Sequence, residues 1–307
     1  MISVLVSLLP VFALVGLGYA AWRADVVDDG FLRPADNLTA YVLFPCLALH
    51  SLAQSNPVDV PVQNLVGVPI LAVVFMAGLA WLLRRRAGGK GPSVAAYLHG
   101  SLRGSLYVGA GAVFALYGEE GLPAAMIVAA AFELAANLFG VIALLVYAKS
   151  GSKAVALAVP LVIVNPLVCA VALGVALNLT GLSLPSILAP VFEMLGRAAI
   201  PVGLIIVGTR FDVAAARKNA TPIAIASVLK LLALPLLVMA GLQNLEIEPQ
   251  TAAIAIAFAA APASASSYML MRQTGGDHRL MSGLLAIQTM LAVISLPVWL
   301  YLAGAGG

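Results

Sequence analysis

The sequence FAAAPASASS, residues 258–267, places a proline and three serines inside an apolar segment. A second apolar segment contains the glycine-rich sequence GSLYVGAGA, residues 104–112. Proline removes a backbone donor, and glycine weakens a helix by about 1 kcal/mol relative to alanine. In lipid, the backbone groups freed by such a break must be satisfied by other protein groups or by a ligand. The two sequences therefore predict a pair of broken helices around a cavity, with simple helix kinks as the alternative.

The composition predicts an integral membrane protein. The chain has 307 residues, of which 62% are hydrophobic and 9% are charged. Soluble domains carry roughly 25% charged and 45–50% apolar residues. The apolar residues form long blocks, which favours membrane-spanning helices over the alternating pattern of a transmembrane barrel. The lipid bilayer is therefore an expected partner, whereas the net charge of +3 is too small to indicate nucleic acid.

Charged residues, glycines and prolines divide the chain into apolar segments that are each long enough to cross a bilayer. We number these segments as spans one to ten, and they comprise residues 2–22, 34–53, 62–83, 94–117, 122–147, 154–178, 186–208, 221–243, 250–271 and 280–303. The first segment lacks a cationic leader, which favours a retained helix over a signal peptide. The expected fold is an all-α integral membrane protein without an extramembrane domain.

The distribution of cations predicts how the spans are oriented. Of the 16 Lys and Arg residues, 13 lie in alternate loops, namely Arg23, Arg33, Arg84, Arg85, Arg86, Lys90, Lys149, Lys153, Arg210, Arg217, Lys218, Arg272 and Arg279. The intervening loops contain no Lys or Arg and include Asp59, Glu119, Glu120, Glu246 and Glu248. Because cytoplasmic loops are enriched in cations, we expect both termini to lie outside the cytoplasm and the protein to reside in the inner (plasma) membrane.

Two pairs of prolines indicate an internal repeat. Pro10 and Pro166 begin similar sequences in spans one and six, and Pro45 and Pro201 lie in spans two and seven. Both pairs are separated by 156 residues (166 − 10 and 201 − 45). Because five helices per half reverse the orientation, we predict two inverted repeats, residues 1–153 and 154–307, with the interrupted spans four and nine at equivalent positions.

Several ionisable groups lie within predicted spans. Glu133 is near the centre of span five, and Asn137 follows one turn later on the same face. An intramembrane carboxyl group is costly and is a functional-site candidate by default, so Glu133 is a candidate for proton coupling. The alternative is a structural ion pair with Arg103. Lys230 lies in the middle of span eight, and the sequence names no partner for it.

The ends of broken helices predict the charge of a ligand. A half-helix directs the positive end of its dipole towards the break, where an anion is favoured. We therefore expect helix breaks at Pro45, Gly111, Pro201 and Pro262. The predicted substrate-binding residues are Ser105, Gly109, Ala110, Gly111, Glu133, Asn137, Pro262, Ala263, Ser264, Ser266 and Gln288.

Motifs for enzymatic chemistry are missing from the sequence. It contains no GxxxxGK[ST] nucleotide loop, no HExxH zinc motif and no GxSxG nucleophile elbow. Cys46 and Cys169 lack the spacing of a metal site or a disulfide framework. We therefore expect no enzyme activity, no metal and no cofactor, and an intramembrane enzyme acting on lipid is the weakest alternative.

Four stretches resemble the auxin efflux carrier family, which includes plant auxin exporters and bacterial transporters of malonate and related carboxylates. They are FPCLALHSLAQSNP (44–57), LRGSLYVGAGAVFALYGEEGL (102–122), LGRAAIPVGLIIVGTRF (195–211) and APASASSYMLMRQTGGDHRLMSGLLAIQTMLAVISLPVWL (261–300). The resemblance implies ten helices, with a scaffold domain from spans one, two, six and seven and a transport domain from spans three to five and eight to ten. It also implies that helices four and nine cross at unwound centres where the anion binds, and that the protein is a homodimer.

Span four departs from the usual family pattern. The family commonly has an Asn shortly before a Gly-x-Pro sequence, whereas here Ser105 precedes Gly109-Ala110-Gly111, with glycine in the place of the proline. The expected function is secondary active transport of a small organic anion, a mono- or dicarboxylate, by elevator-type alternating access. A sodium-coupled symporter of the related bile-acid type is the alternative, and it would need several convergent oxygen ligands.

Overall fold

The computed structural model describes residues 1–55, 62–87, 91–147, 165–212, 215–216, 219–243, 245 and 247–305. Part of the topology prediction lies outside these residues, including Asp59, Lys90, Lys149, Lys153, Arg217, Lys218 and Glu246, as does the predicted start of span six. The helices are α1 (Ile2–Arg23), α2 (Asp29–Leu38), α3 (Phe44–Gln54), α4 (Val62–Leu83), α5 (Pro92–Leu102), α6 (Leu106–Tyr117), α7 (Leu122–Tyr147), α8 (Pro166–Thr180), α9 (Ala189–Gly208), α10 (Ala220–Val228), α11 (Leu234–Gln243), α12 (Pro249–Ala260), α13 (Ala265–Thr274) and α14 (His278–Leu302).

The described part of the chain is helical and strongly apolar, as the composition predicts. Six of its helical segments are long and apolar enough to cross a membrane: Ile2–Arg23, Leu65–Leu83, Leu106–Tyr147, Ala189–Gly208, Ala220–Gln243 and His278–Leu302. Two shorter apolar helices are Pro166–Thr180 and Pro249–Ala260. Large apolar side chains such as Leu71 and Ile294 are exposed, as expected for a surface that faces lipid. The protein is a multi-pass membrane protein.

The segment Leu106–Tyr147 contains two helices rather than one. Its 42 residues would extend about 63 Å as a single helix, twice the thickness of a bilayer core. A 3₁₀ turn at Gly118–Gly121 separates α6 from α7, and Gly118 adopts a φ of 62°, a left-handed conformation that favours glycine. The two helices then pack against each other, so the chain reverses direction at this turn.

The predicted breaks at Pro45 and Pro201 are wrong. A π-helical turn at Thr39–Leu43 connects α2 to α3 without interruption, and Pro45 directly follows this turn, so the proline does not end the helix. Pro201 lies inside the continuous helix α9. Pro201 and Arg197, the residue four positions before it, both line a large cavity.

The break in span four lies earlier than the glycines predict. Residues 103–105 are not helical, whereas Gly109 and Gly111 lie within α6, so the predicted break at Gly111 is wrong. These glycines serve packing. A Cβ atom at Gly109 would lie 2.5 Å from a ring carbon of Phe258, and one at Gly111 would lie 3.2 Å from a methyl group of Leu204. In span nine the non-helical residues are 261–264, and the break predicted at Pro262 lies among them.

Glycines bring α1, α3, α8 and α9 into close contact. A Cβ atom at Gly208 of α9 would lie 1.9 Å from the carbonyl oxygen of Val15 in α1. A Cβ atom at Gly174 of α8 would lie 2.8 Å from Cβ of Leu52 in α3. Backbones that approach this closely are typical of tightly packed membrane helices. A second group of helices packs around α7 and α12. In it, α4 and α5 contact α7, and α12 contacts α11 and α14.

Candidate functional site

The two helix breaks pair with each other. Ser105 donates its backbone N–H to the carbonyl oxygen of Pro262 at 2.6 Å, and Ser264 donates its backbone N–H to the carbonyl oxygen of Arg103 at 3.2 Å. Gly104 and Ala263 thereby form an isolated antiparallel bridge. We call residues 103–105 and 261–264 the crossing. The bridge satisfies backbone groups that the breaks would otherwise leave exposed to lipid.

Gln288 of α14 holds the crossing from one side. Its Nε2 donates to the carbonyl oxygen of Gly100 at 2.9 Å, and its Oε1 accepts the backbone N–H of Ala263 at 2.9 Å. The side chain is fully buried. Both ends of the amide therefore bind backbone from the two broken helices. This geometry favours a role in positioning the crossing over the substrate contact that the sequence predicts.

Lys230 binds next to the crossing, at the C-terminal end of α12. It lies in a π-helical turn, Leu229–Ala233, and its Nζ donates to the carbonyl oxygens of Ala259 at 2.8 Å and Phe258 at 3.5 Å. These carbonyls belong to the last turn of α12. A cation is favoured there because the C-terminal end of a helix carries partial negative charge. The partner that the sequence could not name is thus a helix end.

Three helices begin beside the crossing. At α6, Ser105 Oγ accepts the backbone N–H of Val108 at 3.3 Å. At α8, Asn165 Oδ1 accepts the backbone N–H groups of Leu167 and Val168. At α13 the N-cap is Ser264, whose hydroxyl makes no cap hydrogen bond to the helix and instead lies 2.9 Å from the hydroxyl of Ser266. Side chains therefore cap the N-terminal end of α13 less completely than the N-terminal ends of α6 and α8.

These helix ends border a cavity of about 130 Å³. Its polar lining includes Asp36, Arg103, Glu133, Asn137, Asn165, Ser264 and Ser266. Asp36 and Asn165 come from the group of helices that contains α8, and Arg103 and Glu133 come from the group around α7. The cavity therefore lies where the two groups of helices meet.

The charged groups of the cavity are buried and hydrogen-bonded. Arg103 Nη2 lies 3.1 Å from Glu133 Oε2, and Asn137 Nδ2 donates to the same oxygen at 3.0 Å. The alternative that the sequence leaves open for Glu133, an ion pair with Arg103, is thus present. Asp36 Oδ1 accepts the hydroxyl of Tyr107 at 3.0 Å. Asp36 and Glu133 are only 6% and 8% exposed, so neither carboxyl is a solvated surface group.

The structure brings together only part of the predicted site. Glu133, Asn137, Ser264 and Ser266 line the cavity, while Ser105 caps α6 next to it. The other predicted residues lie elsewhere. Pro262 and Ala263 are in the crossing, Gly109 and Ala110 are inside α6, Gly111 lines a different cavity, and Gln288 binds the backbone of both broken helices.

Sequence reasoning missed several residues of the cavity, among them Asp36, Asn165 and Tyr107. Asp36 is an acid inside predicted span two, which is a signal of the same kind as that of Glu133. Asn165 directly precedes Pro166, a combination typical of a helix start. Tyr107 carried no such signal, because a tyrosine in an apolar segment is common.

A second and larger cavity, of about 1080 Å³, is lined by a different set of residues. Its lining includes Gly111 and Phe114 of α6, His50 of α3, and Glu119 and Glu120 of the 3₁₀ turn. Tyr107 of α6, which lines the smaller cavity, contacts Phe44, with ring centroids 5.1 Å apart. Tyr107 also packs on Gly203 of α9, where a Cβ atom would lie 2.6 Å from its ring.

Comparison with known proteins identifies the class of protein. Residues 152–300 match the membrane transport protein family. The chain is also 25% identical over 301 residues to an uncharacterized transporter from Methanothermobacter thermautotrophicus (strain Delta H), an alignment that covers 95% of this chain and 96% of the relative. The apolar helical fold and these similarities are those of a membrane transporter rather than an enzyme. The family that the second half of the chain matches is the auxin efflux carrier family, which the sequence resembles.

Proposed function

We propose that the protein is a secondary active transporter of a small organic anion, and that the anion binds in the cavity beside the crossing. The observation that carries this proposal is the N-terminal end of α13. It faces the cavity with the hydroxyls of Ser264 and Ser266, and Arg103 lines the same space. Backbone N–H groups, hydroxyl groups and a guanidinium are the donors that bind a carboxylate.

The electrostatics of the cavity support an anion despite its two acids. The formal charges of Arg103, Glu133 and Asp36 leave one negative charge. The N-terminal ends of α6, α8 and α13 each contribute a partial charge of about +0.5. These partial charges offset that negative charge, and their effect is strongest where no side chain caps the helix end. The end of α13 is therefore the preferred position for a carboxylate.

The size of the cavity suits a small molecule. Its volume of about 130 Å³ holds several water molecules, since roughly 10–15 Å³ is enough for one. That space suits a mono- or dicarboxylate of a few carbon atoms. A bulky aromatic anion would require the helices around the cavity to separate.

Asp36 is the favoured carrier of a coupled proton. Glu133 already neutralises Arg103, so protonating Glu133 would leave a buried guanidinium without its counter-charge. Asp36 accepts from the neutral hydroxyl of Tyr107, and within the described residues it forms no ion pair. A bound carboxylate would add a second negative charge near Asp36, and like charges repel strongly at low dielectric. We propose that Asp36 takes up a proton when the anion binds.

The arrangement of the helices supports an elevator mechanism. The helices joined by close glycine contacts, α1, α3, α8 and α9, belong to the proposed scaffold of spans one, two, six and seven. Spans three to five and eight to ten form the proposed transport domain, which contains the crossing. Because the cavity is lined from both groups, displacement of one group against the other would move the bound anion across the membrane. Ten spans in two inverted repeats and a homodimer complete this proposal.

The contacts at the helix ends support the predicted orientation. Arg23, Arg210 and Arg279, from three predicted cytoplasmic loops, border one cavity of about 510 Å³. Glu119 and Glu120, from a predicted outer loop, border the large cavity instead. We propose that the end with the three arginines faces the cytoplasm and that both termini lie on the opposite side of the plasma membrane.

A binding screen followed by a flux measurement tests the proposed function. The purified full-length protein is heated in the presence of mono- and dicarboxylates of two to six carbons, with the corresponding amides as neutral controls. A ligand that binds only the folded state raises the unfolding temperature, so we expect a carboxylate, and not its amide, to do so. The same carboxylate should be taken up by proteoliposomes. Uptake of a neutral or cationic solute in its place would contradict the proposal.

A further inference from the structure

Lys230 presents a buried charge that the proposed anion site does not use. Its side chain is completely buried, and within the described ranges it forms no ion pair with a carboxylate. Its Nζ instead donates to the carbonyl oxygens of Phe258 and Ala259 at the C-terminal end of α12. An intramembrane lysine is expensive to bury, so this contact calls for a functional explanation.

The break in span nine creates the two acceptors that Lys230 binds. In an uninterrupted helix, the carbonyl of Phe258 would accept the backbone N–H of residue 262, but that residue is a proline and has none. The carbonyl of Ala259 would accept the backbone N–H of Ala263, which is donated to Gln288 Oε1 instead. Both carbonyls are thus left without their helical donors, and the ammonium group satisfies both.

The crossing is shaped to admit this ammonium group. A Cβ atom at Gly104 would lie 2.9 Å from Lys230 Nζ and 3.2 Å from the carbonyl oxygen of Phe258. Any larger residue at this position of the bridge would therefore press on the ammonium group or the carbonyl. On the other broken helix, the carbonyl of Gly100 accepts the neutral amide of Gln288. Of the two half-helix C-terminal ends at the crossing, the end of α12 therefore binds the ammonium group of Lys230, and the end of α5 binds the neutral amide of Gln288.

In transporters with broken helices, unwound carbonyls and half-helix C-terminal ends are the groups that coordinate a coupling cation. We propose that Lys230 is a tethered cation that occupies this position permanently, so that the protein works without sodium coupling. The consequence for coupling rests on the proposed transport function. It also argues against the bile-acid type of sodium symport, because the carbonyl oxygens that would bind sodium are already occupied.

Thermal unfolding of the purified full-length protein tests this role without any substrate. For the wild type we expect the same unfolding temperature in sodium, potassium and choline chloride at equal concentration. Lys230→Ala removes the ammonium group and leaves two buried carbonyls unsatisfied, which should lower the unfolding temperature by roughly 5–10 °C. Butylammonium should recover at least half of that loss. Butanol, which has the same carbon chain without the charge, should recover little.

Gly104→Ala provides a second test that keeps the lysine. The added methyl group would push on Nζ, so the unfolding temperature should fall, whereas Gly78→Ala, which meets no atom within 4 Å, should leave it unchanged or raise it. If Lys230→Ala cannot be purified folded, this pair and the wild-type salt series decide the question.

Three results of the unfolding experiments would overturn the proposal that Lys230 is a tethered cation: a wild type that sodium stabilises more than potassium does, an unfolding temperature that Lys230→Ala leaves unchanged, or equal recovery by butanol and butylammonium. Anion uptake that requires sodium would reject the role of Lys230 while upholding anion transport. A failure of every carboxylate in the binding screen would reject the proposed substrate while leaving the unfolding results for Lys230 intact.

Discussion

Arg103 and Glu133 form a buried ion pair, in which Arg103 Nη2 lies 3.1 Å from Glu133 Oε2. The arginine belongs to the break between α5 and α6, and the glutamate belongs to the unbroken helix α7. The pair therefore ties the crossing to its neighbouring helix. Asn137 donates to the same carboxylate oxygen and holds it in place.

Glu133→Gln should destabilise the protein by about 3–5 kcal/mol, because the buried guanidinium of Arg103 loses its counter-charge. The loss would be measured by reversible denaturation of the purified protein. Arg103→Gln combined with Glu133→Gln removes both charges and should be less destabilised than Glu133→Gln alone. A fully stable Glu133→Gln with unchanged transport would show that the pair holds nothing in place.

Asp36→Asn should remove the pH dependence of anion uptake. If Asp36 takes up a proton with the anion, wild-type uptake into proteoliposomes increases as the pH on the loading side falls, and asparagine mimics the protonated carboxyl at every pH. Uptake by the variant should then be insensitive to a pH gradient and should respond to membrane potential, because the anion crosses with its charge. If Asp36→Asn kept the wild-type pH profile and Glu133→Gln lost it, Glu133 and not Asp36 would be the proton carrier.

Ser266→Leu should abolish carboxylate binding, because the larger side chain would enter the cavity at the N-terminal end of α13. Ser266→Ala removes only a hydroxyl, and we expect its affinity to fall about 2- to 10-fold. Isothermal titration with the carboxylate found in the screen would measure both. Ser186→Leu, on an exposed turn away from the cavity, is the matched control.

Gly111→Leu distinguishes anion binding in the smaller cavity from anion binding in the large cavity. Because Gly111 faces Val11, Ile200 and Leu204 at the large cavity, leucine there should hinder transport by disturbing the packing of α6. Carboxylate binding should be retained within about 3-fold, since the anion cavity is one turn away. Loss of binding equal to that of Ser266→Leu would place the anion in the large cavity.

Single cysteines should report the orientation of the helices. In a background with Cys46→Ala and Cys169→Ala, Arg86→Cys and Glu120→Cys lie on exposed turns at opposite predicted sides of the membrane. An impermeant maleimide added to intact cells should label position 120 and should label position 86 only after lysis. Labelling of both positions in intact cells would reject the topology.

Helix breaks show the limits of sequence reasoning about this fold. Composition and periodicity predicted the helical segments, because burial in lipid selects long apolar helices directly. Pro262 predicted its break, because a proline alters the backbone locally. Gly111 did not, because glycine permits a break without imposing one. The actual break at Gly104 depends on a bridge to Ala263, a residue far away in the chain.

The sequence by itself determined that this is a helical membrane protein with polar residues such as Glu133 within the bilayer, since such features follow from transfer free energies of single residues. Only the tertiary structure decided what those residues do. It joined Arg103 to Glu133, placed Asp36 at the cavity and set Lys230 against the carbonyls of Ala259 and Phe258. The physical reason is that a buried charge is stabilised by whichever dipole or counter-charge packs against it, and packing joins residues that are distant in the chain.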